Sequence, residues 1–179
     1  MMSSIDVEFR QPSPADAERL GRMHYASWRE AYASLLPPEF WGEATERRWI
    51  SSRIARMRSP QPESTTWMAL RDDEVLGFAT AGPARENPTA GAPVRDRELW
   101  SIYVRASEYG SGLADRLLEA VLPGQEPAEL WVFEANARAC RFYSRHGFKP
   151  DGARHVFGPD VGHQAVEHVP RPTLSGVRG

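Results

Sequence analysis

The stretch from Glu98 to Leu118 limits the possible folds more than any other part of the chain. Glu98-Leu-Trp-Ser-Ile-Tyr-Val104 alternates and is rich in β-branched and aromatic residues, the pattern of a half-buried strand. Past the Gly110-Ser-Gly112 turn, Leu113, Leu117, Leu118 and Val121 recur along one side of a helix. A strand that turns directly into a helix feeds a crossover, so Trp100–Val104 is expected to pair in parallel with Leu130–Phe133 inside a mixed sheet. Gly110 and Gly112 have no side chain to hold a ligand away, and successive backbone N–H groups converge there at the positive end of the helix dipole. Such a turn is an anion site, most naturally for phosphate. It lacks the Gly-x-Gly-x-x-Gly of dinucleotide folds and the Gly-Lys-Ser/Thr of triphosphate loops.

Composition narrows the partners. At 179 residues the chain has the length of one domain, and a net charge of −2 offers no polyanion-binding surface, so nucleic acid is not expected as a partner. Cys140 is alone, which excludes an internal disulfide and a cysteine zinc cluster, and no metal is expected. The amino terminus lacks the basic start and apolar core of a signal peptide, and no apolar run reaches the roughly 20 residues of a membrane span. A cytoplasmic protein with no membrane partner is the expectation.

In chain order, Ile5–Phe9 alternates as a first strand, and Ser13 is placed to cap a helix carrying Leu20, Met23, His24, Ser27, Trp28, Ala31 and Tyr32 at helical spacing. Pro37-Pro38 breaks it, and a second helical pattern runs from Glu39 to Met57 through Phe40, Trp41, Trp49, Ile50 and Ile54. The aromatics of these helices fit either packing on a sheet or a lid whose inner face binds substrate. Thr65–Leu70 and Val75–Ala81 form a hairpin around Arg71–Glu74, and Pro83–Pro93 is a loop. After a Pro123–Pro127 linker come the strand Ala128–Phe133, a helix Ala137–His146 capped by Asn136 and stopped by Gly147, and strand candidates at Ala153–Phe157 and Ala165–Val169. Residues 170–179 read as a flexible tail, and 1–179 as one α/β domain with a mixed central sheet flanked by helices.

Two motifs carry a family resemblance. Tyr109-Gly-Ser-Gly-Leu-Ala114 fits Arg/Gln-x-x-Gly-x-Gly/Ala except at its first position, and resembles the acetyl-coenzyme A signature of the GNAT superfamily of N-acetyltransferases. Asn136-Ala-Arg-Ala-Cys-Arg-Phe-Tyr-Ser-Arg-His-Gly-Phe148 is similar to that family's Asn-x-x-Ala-x-x-Phe-Tyr-x-x-x-Gly-Phe signature at every fixed position. The stretch His24–Pro37 looks like the first helix of members that act on small molecules. The resemblance implies a sheet whose two parallel strands splay apart, with coenzyme A in the notch, and transfer of acetyl from acetyl-coenzyme A to a primary amine in a ternary complex. A small-molecule amine is the expected acceptor, with a protein amine or a non-catalytic acyl-coenzyme A binding module as alternatives, and a homodimer is common in the family.

By the same resemblance the cofactor is expected against Ile102, Tyr103, Val104, Tyr109, Gly110, Ser111, Gly112, Leu113, Ala114, Asn136 and Tyr143. Tyr109 replaces a charged or amide side chain with a phenol, which donates one hydrogen bond and carries no charge. Acetylating an alkyl ammonium with a pKa near 10 requires removal of a proton, and a departing thiolate near 8.5 is helped by an acid. The family places the acid at Tyr143 and, in some members, the base at Glu98; Glu30 and His24 are alternative bases. Phe142 is expected in the core, and Cys140 as a small apolar side chain rather than a nucleophile. Trp28, Tyr32 and Trp67 are expected to wall the acceptor site, favouring a compact, partly apolar amine held by cation–π attraction.

Overall fold

The structure, a computed structural model, describes residues 7–34, 36–87, 91–156 and 168–174. Its elements are β1 (Glu8–Arg10), α1 (Ala17–Tyr32), α2 (Glu43–Arg58), β2 (Thr65–Arg71), β3 (Glu74–Pro83), β4 (Arg97–Val104), α3 (Leu113–Val121), β5 (Ala128–Leu130), α4 (Ala137–Arg145), β6 (Lys149–Val156) and β7 (His168–Leu174). This is the mixed α/β class that the patterns predict. The chain folds into two compact units that alternate along the sequence: one runs to Thr80 and adds Ser101–Val121, the other comprises Ala81–Trp100 and the chain from Leu122 onward. β3 and β4 each contribute residues to both.

In the first unit the strand order is β1-β2-β3-β4, with Phe9 of β1 opposite Ala69 of antiparallel β2. β2 and β3 are joined through Asp72 and Asp73, whose φ values of +47° and +67° make the left-handed two-residue turn that matches strand twist. Leu20 and Met23 of α1 pack on Met68, Leu70, Val75 and Phe78, with Met57 and Tyr103 at the margin. Burying side chains of this size contributes about 1.5–3 kcal/mol each. Leu113, Leu117, Leu118 and Val121, the expected stripe of α3, are all buried.

The entry to α1 is a 3-10 turn at Pro14–Asp16 rather than a simple Ser13 cap. Asp16, fully buried, accepts the Ser13 N–H and hydroxyl at 2.7 and 2.9 Å and both terminal nitrogens of Arg10. Those bonds, led by Arg10, hold its carboxyl well below the usual range. α1 and α2 cross closely at Gly21, where a Cβ would stand 2.7 Å from the Ile50 Cα. The second helix starts at Glu43, not at Glu39: Pro38–Phe40 is a separate 3-10 turn, and Gly42 is extended. The Gly42 N–H donates to the Tyr25 hydroxyl at 2.9 Å, so a side chain of α1 takes the amide that a continuous helix would have used internally.

In the second unit the order is β3-β4-β5-β7-β6. The expected parallel pair is present, but its register is earlier: Arg97, Glu98 and Leu99 face Ala128, Glu129 and Leu130, and pairing then stops. Trp131–Phe133 leave the strand although Val132 and Phe133 are buried, since an apolar run marks burial and not where a ladder ends. The other edge of β5 pairs antiparallel with β7, so His168–Leu174 is a strand where a tail beginning at Pro170 was expected. β7 covers backbone groups that β5 would otherwise leave open. β6 already begins at Lys149; Phe157 and Ala165–Glu167 of the expected strands, the Ile5 end of the first strand, and residues 175–179 lie outside the described residues. α4 has the expected cap and stop, one residue shorter at Arg145: the Asn136 side chain accepts the Ala139 N–H at 3.1 Å, and Gly147 takes φ +85°. No helix among the described residues is long and apolar enough to cross a membrane.

Candidate active site

The turn before α3 is held open by its own bonding. The N–H groups of Tyr109 and Ser111 donate to the carbonyls of Ala106 and Glu108, each at 3.2 Å, and that of Leu113 donates to Ser111 Oγ at 3.2 Å. The alternate amides, those of Gly110, Gly112 and Ala114, have no acceptor among the described residues. Gly110 and Gly112 adopt φ +80° and +84°, and a Cβ at either would meet nothing within 4 Å. Glycine is therefore favoured here by conformation and not by space. Three open amides at the start of a helix bind an anion by hydrogen bonding and by the helix dipole together.

Neighbouring carboxylates brace the turn. Buried Glu108 accepts Arg71 at 2.9 Å. Glu30, one of the alternative bases, accepts the Ala106 N–H at 2.8 Å and Arg105 Nε at 3.0 Å, so both its oxygens serve the turn. Tyr109 is half-buried, as are Ile102, Tyr103 and Val104 at the end of β4.

The aromatics of α1 and α2 form one cluster. Trp28 lies 4.8 Å from both Tyr32 and Trp49 between ring centroids, stacks on Phe40 at 6.0 Å, and donates its indole N–H to the Tyr103 hydroxyl at 2.8 Å. Trp28 and Tyr32, the expected acceptor walls, are thus buried together in packing, whereas Trp67 stands half-buried on β2. Burial pushes the Tyr103 phenol up from its ordinary value. His24 sits 4.6 Å from the rings of both Trp49 and Tyr103. Arg53 approaches its Nδ1 at 3.2 Å; a guanidinium only donates, which assigns Nδ1 as acceptor and puts the proton of neutral His24 on Nε2. Burial, then the charges of Arg53 and Arg56, hold His24 well below its usual value.

A pocket of about 290 Å³ opens in this region, lined by His24, Arg48, Trp49, Ser52, Arg53 and Arg56. Arg53 is the buried member, 7% exposed, with its guanidinium 4.6 Å from the Phe78 ring centroid. Burial, then Arg56, pulls it down to about 10. Trp49 belongs to the α2 aromatics that fit a substrate-binding lid on sequence, whereas Arg48, Ser52, Arg53 and Arg56 carry no such expectation. Their signal was spacing: Trp49, Ser52, Arg53 and Arg56 share one face at i, i+3, i+4 and i+7.

In the second unit, Glu98 is buried and accepts three bonds from Arg85, from its backbone N–H at 3.0 Å, from Nε at 3.1 Å and from Nη2. Arg85 also lies over the Trp100 ring at 4.8 Å. Glu129, opposite Glu98 on the parallel strand, accepts the N–H groups of Val94 and Arg95 at 2.7 and 3.0 Å. These two carboxylates therefore anchor the chain on both sides of the 84–96 connection. On α4, Tyr143 is buried edge-on against Phe148, while Phe142 is only half-buried and contacts His146; the tyrosine, not the expected phenylalanine, is the core side chain of the pair. Cys140 lies near the Phe133 carbonyl, and burial pushes its thiol up, away from the thiolate a nucleophile needs. Among the described residues no group of three potential ligands stands together for a metal.

The model of the acetyltransferase (GNAT) family matches residues 24–148. The chain belongs to the GNAT family. It is 26% identical over 172 residues to a Mycobacterium tuberculosis protein named Probable N-acetyltransferase Rv2775, and the match covers 94% of each chain. Its fold is similar to that of the PaiA N-acetyltransferase of Thermoplasma acidophilum, solved with coenzyme A, at a TM-score of 0.61 and 18% identity over 93% of this chain and 98% of that one. It is also similar to PH1933 of Pyrococcus horikoshii, with a TM-score of 0.67 and 18% identity over 97% and 100% of the two chains. The match spans both GNAT signatures, of which Tyr109–Ala114 lies in the first compact unit and Asn136–Phe148 in the second.

Proposed function

We propose that this GNAT chain transfers the acetyl group of acetyl-coenzyme A to the primary amine of a small molecule by direct attack. The observation that carries the reading is the row of open amides at Gly110, Gly112 and Ala114. They suit a pyrophosphate and need no lysine. Acetyl-coenzyme A supplies an activated acyl carbon and a thiolate leaving group. Tyr143 is the proposed acid, its phenol giving a proton to the departing sulfur, and Asn136 the proposed contact to the pantetheine arm. Glu98 is the proposed base; to accept a proton its carboxylate must release part of its bonding to Arg85, whose side chain is 58% exposed and can move. The small-molecule acceptor is supported by the size of the α1–α2 pocket, about 290 Å³, near the lower end of the ligand-pocket range.

The engagement of Glu98 by Arg85 favours a second reading, a non-catalytic acyl-coenzyme A binding module. Thermal-shift titration with acetyl-coenzyme A, coenzyme A and ATP tests the cofactor, with Gly112→Asp as the comparison, because Asp tolerates positive φ and sets a carboxylate among the open amides. Coenzyme A compounds at about 100 times the dissociation constant add about 2.7 kcal/mol to the natural chain. The folded variant is expected to lose that gain; an equal gain would remove the turn as the phosphate site. Release of thiol only when an amine is added separates the enzyme from the binding module.

A further inference from the structure

We propose that the pocket between α1 and α2 receives an anionic group, a carboxylate or a phosphoryl, belonging to a small ligand whose apolar part lies against Trp49. The lining brings three guanidiniums together, from Arg48, Arg53 and Arg56, and contains no carboxylate among the described residues. Elsewhere arginines find acids: Arg47, on the same helix, reaches Glu43 at 3.1 Å, and Arg71 and Arg105 reach Glu108 and Glu30 at 2.9 Å. Arg48, Arg53 and Arg56 have no carboxylate partner among the described residues. For exposed Arg48 and Arg56 this is unremarkable. Arg53 is different, because it is buried on Phe78 and, among the described residues, its one hydrogen-bond partner is the neutral His24 ring.

A buried guanidinium with no counter-charge is costly, and a neighbouring cation raises the cost. An anion in the pocket offsets both. Arg53 presents donors from the floor, while Arg48, Arg56 and the Ser52 hydroxyl stand along the mouth. The planar fork of arginine suits two oxygens on one atom, as carboxylate and phosphoryl groups provide. The ring of Trp49 sets an apolar surface beside that charge. This inference rests in part on the reading above: if the chain is an acetyltransferase, its acceptor is an amine that also bears an anion, and a purely cationic polyamine is repelled.

The test uses the full-length chain and two variants. Arg53→Met removes the buried charge at similar volume, and Arg56→Gln, at an exposed position, guards against a folding failure of the first. Inorganic phosphate, compared with chloride at equal ionic strength, is expected to raise the Tm of the natural chain and to raise that of the variants less. Phenylalanine and phenethylamine, which differ by a carboxylate, are then compared by calorimetry and as acceptors with acetyl-coenzyme A. Phenylalanine is expected to bind the natural chain more tightly than phenethylamine by about tenfold or more, the variants raising the KM for phenylalanine with little change in kcat and, because they remove a repelling charge, lowering that for phenethylamine. A phosphate response alone supports recognition of a free anion, and a phenylalanine response alone supports a ligand-borne carboxylate. Equal responses in natural and variant chains, or preference for phenethylamine, overturn the proposal. Anion binding lost in the variants but with no acetyl transfer to any amine sinks the enzymatic reading and leaves the site standing; acetyl transfer with no anion effect does the reverse.

Discussion

At the scale of single residues, His24 shows how burial changes what a side chain can do. On the sequence it is a candidate base near neutral pKa; in the fold it is a neutral ring between Trp49, Phe78 and Tyr103 that accepts a bond from Arg53. The unfolded chain takes up a proton at this histidine as pH falls below about 6.5, while the folded ring, held well below that value, does not. Its contribution to stability is therefore complete above about pH 6.5 and declines as pH falls below it toward the folded value. His24→Gln keeps an acceptor for Arg53 and removes the titration. Urea midpoints measured from pH 7 to pH 5 should fall less steeply in the variant. Parallel curves would show that His24 does not resist protonation. The spacing of the arginines around it puts Arg53 and Arg56 on one face but does not say what that face meets: on an isolated helix each looks like a solvated charge, and the packing of α1 on α2 at Gly21 is what buries Arg53.

Elements whose limits depend on local chemistry were legible, and those limited by distant partners were not. The α3 stripe, the Asn136 cap, the Gly147 stop and the hairpin all rest on residues within a few positions of one another. The start of α2 does not: Glu39–Gly42 continues the helical pattern, yet Gly42 is held extended by Tyr25, far back in the chain. Likewise β7 replaces the expected tail because it completes the pairing of β5 and β6, which no local propensity in a segment with Pro170 and Pro172 announces. Tyr25→Phe tests the first case. Its ring still packs near Trp41 and Trp49, but the Gly42 N–H loses its acceptor. Hydrogen exchange at Gly42 and over the first turn of α2 should quicken, with a stability loss of about 1 kcal/mol, since the exposed amide can turn to water. Unchanged exchange would mean that Gly42 is extended for its own reasons.

At the scale of the whole molecule, the turn proposed to hold phosphates and the side chains proposed to move protons belong to different compact units. Binding and chemistry should therefore separate under mutation. Gly112→Asp removes stabilisation by coenzyme A, whereas Tyr143→Phe, which keeps the buried ring against Phe148, should retain it and lower kcat by about 10²–10⁴ if the phenol is the acid. Glu98 requires a two-part comparison, because its carboxylate also anchors Arg85. Glu98→Gln tests the base and Arg85→Ala the anchor. If Glu98 takes the proton, its variant should lower kcat by about 10²–10⁴, while Arg85→Ala frees the carboxylate and keeps most of kcat. If the pair only positions the 84–96 connection, the two variants should lose kcat together, and the amine must then be deprotonated by another group or arrive neutral. The anchor has a counterpart that separates these outcomes further. Glu129 holds Val94 and Arg95 through one oxygen from the opposite strand, so Glu129→Leu, which removes that acceptor, disturbs the same connection and spares the proposed base. A loss shared by all three variants assigns these carboxylates to architecture, and a loss confined to Glu98→Gln assigns Glu98 to the reaction.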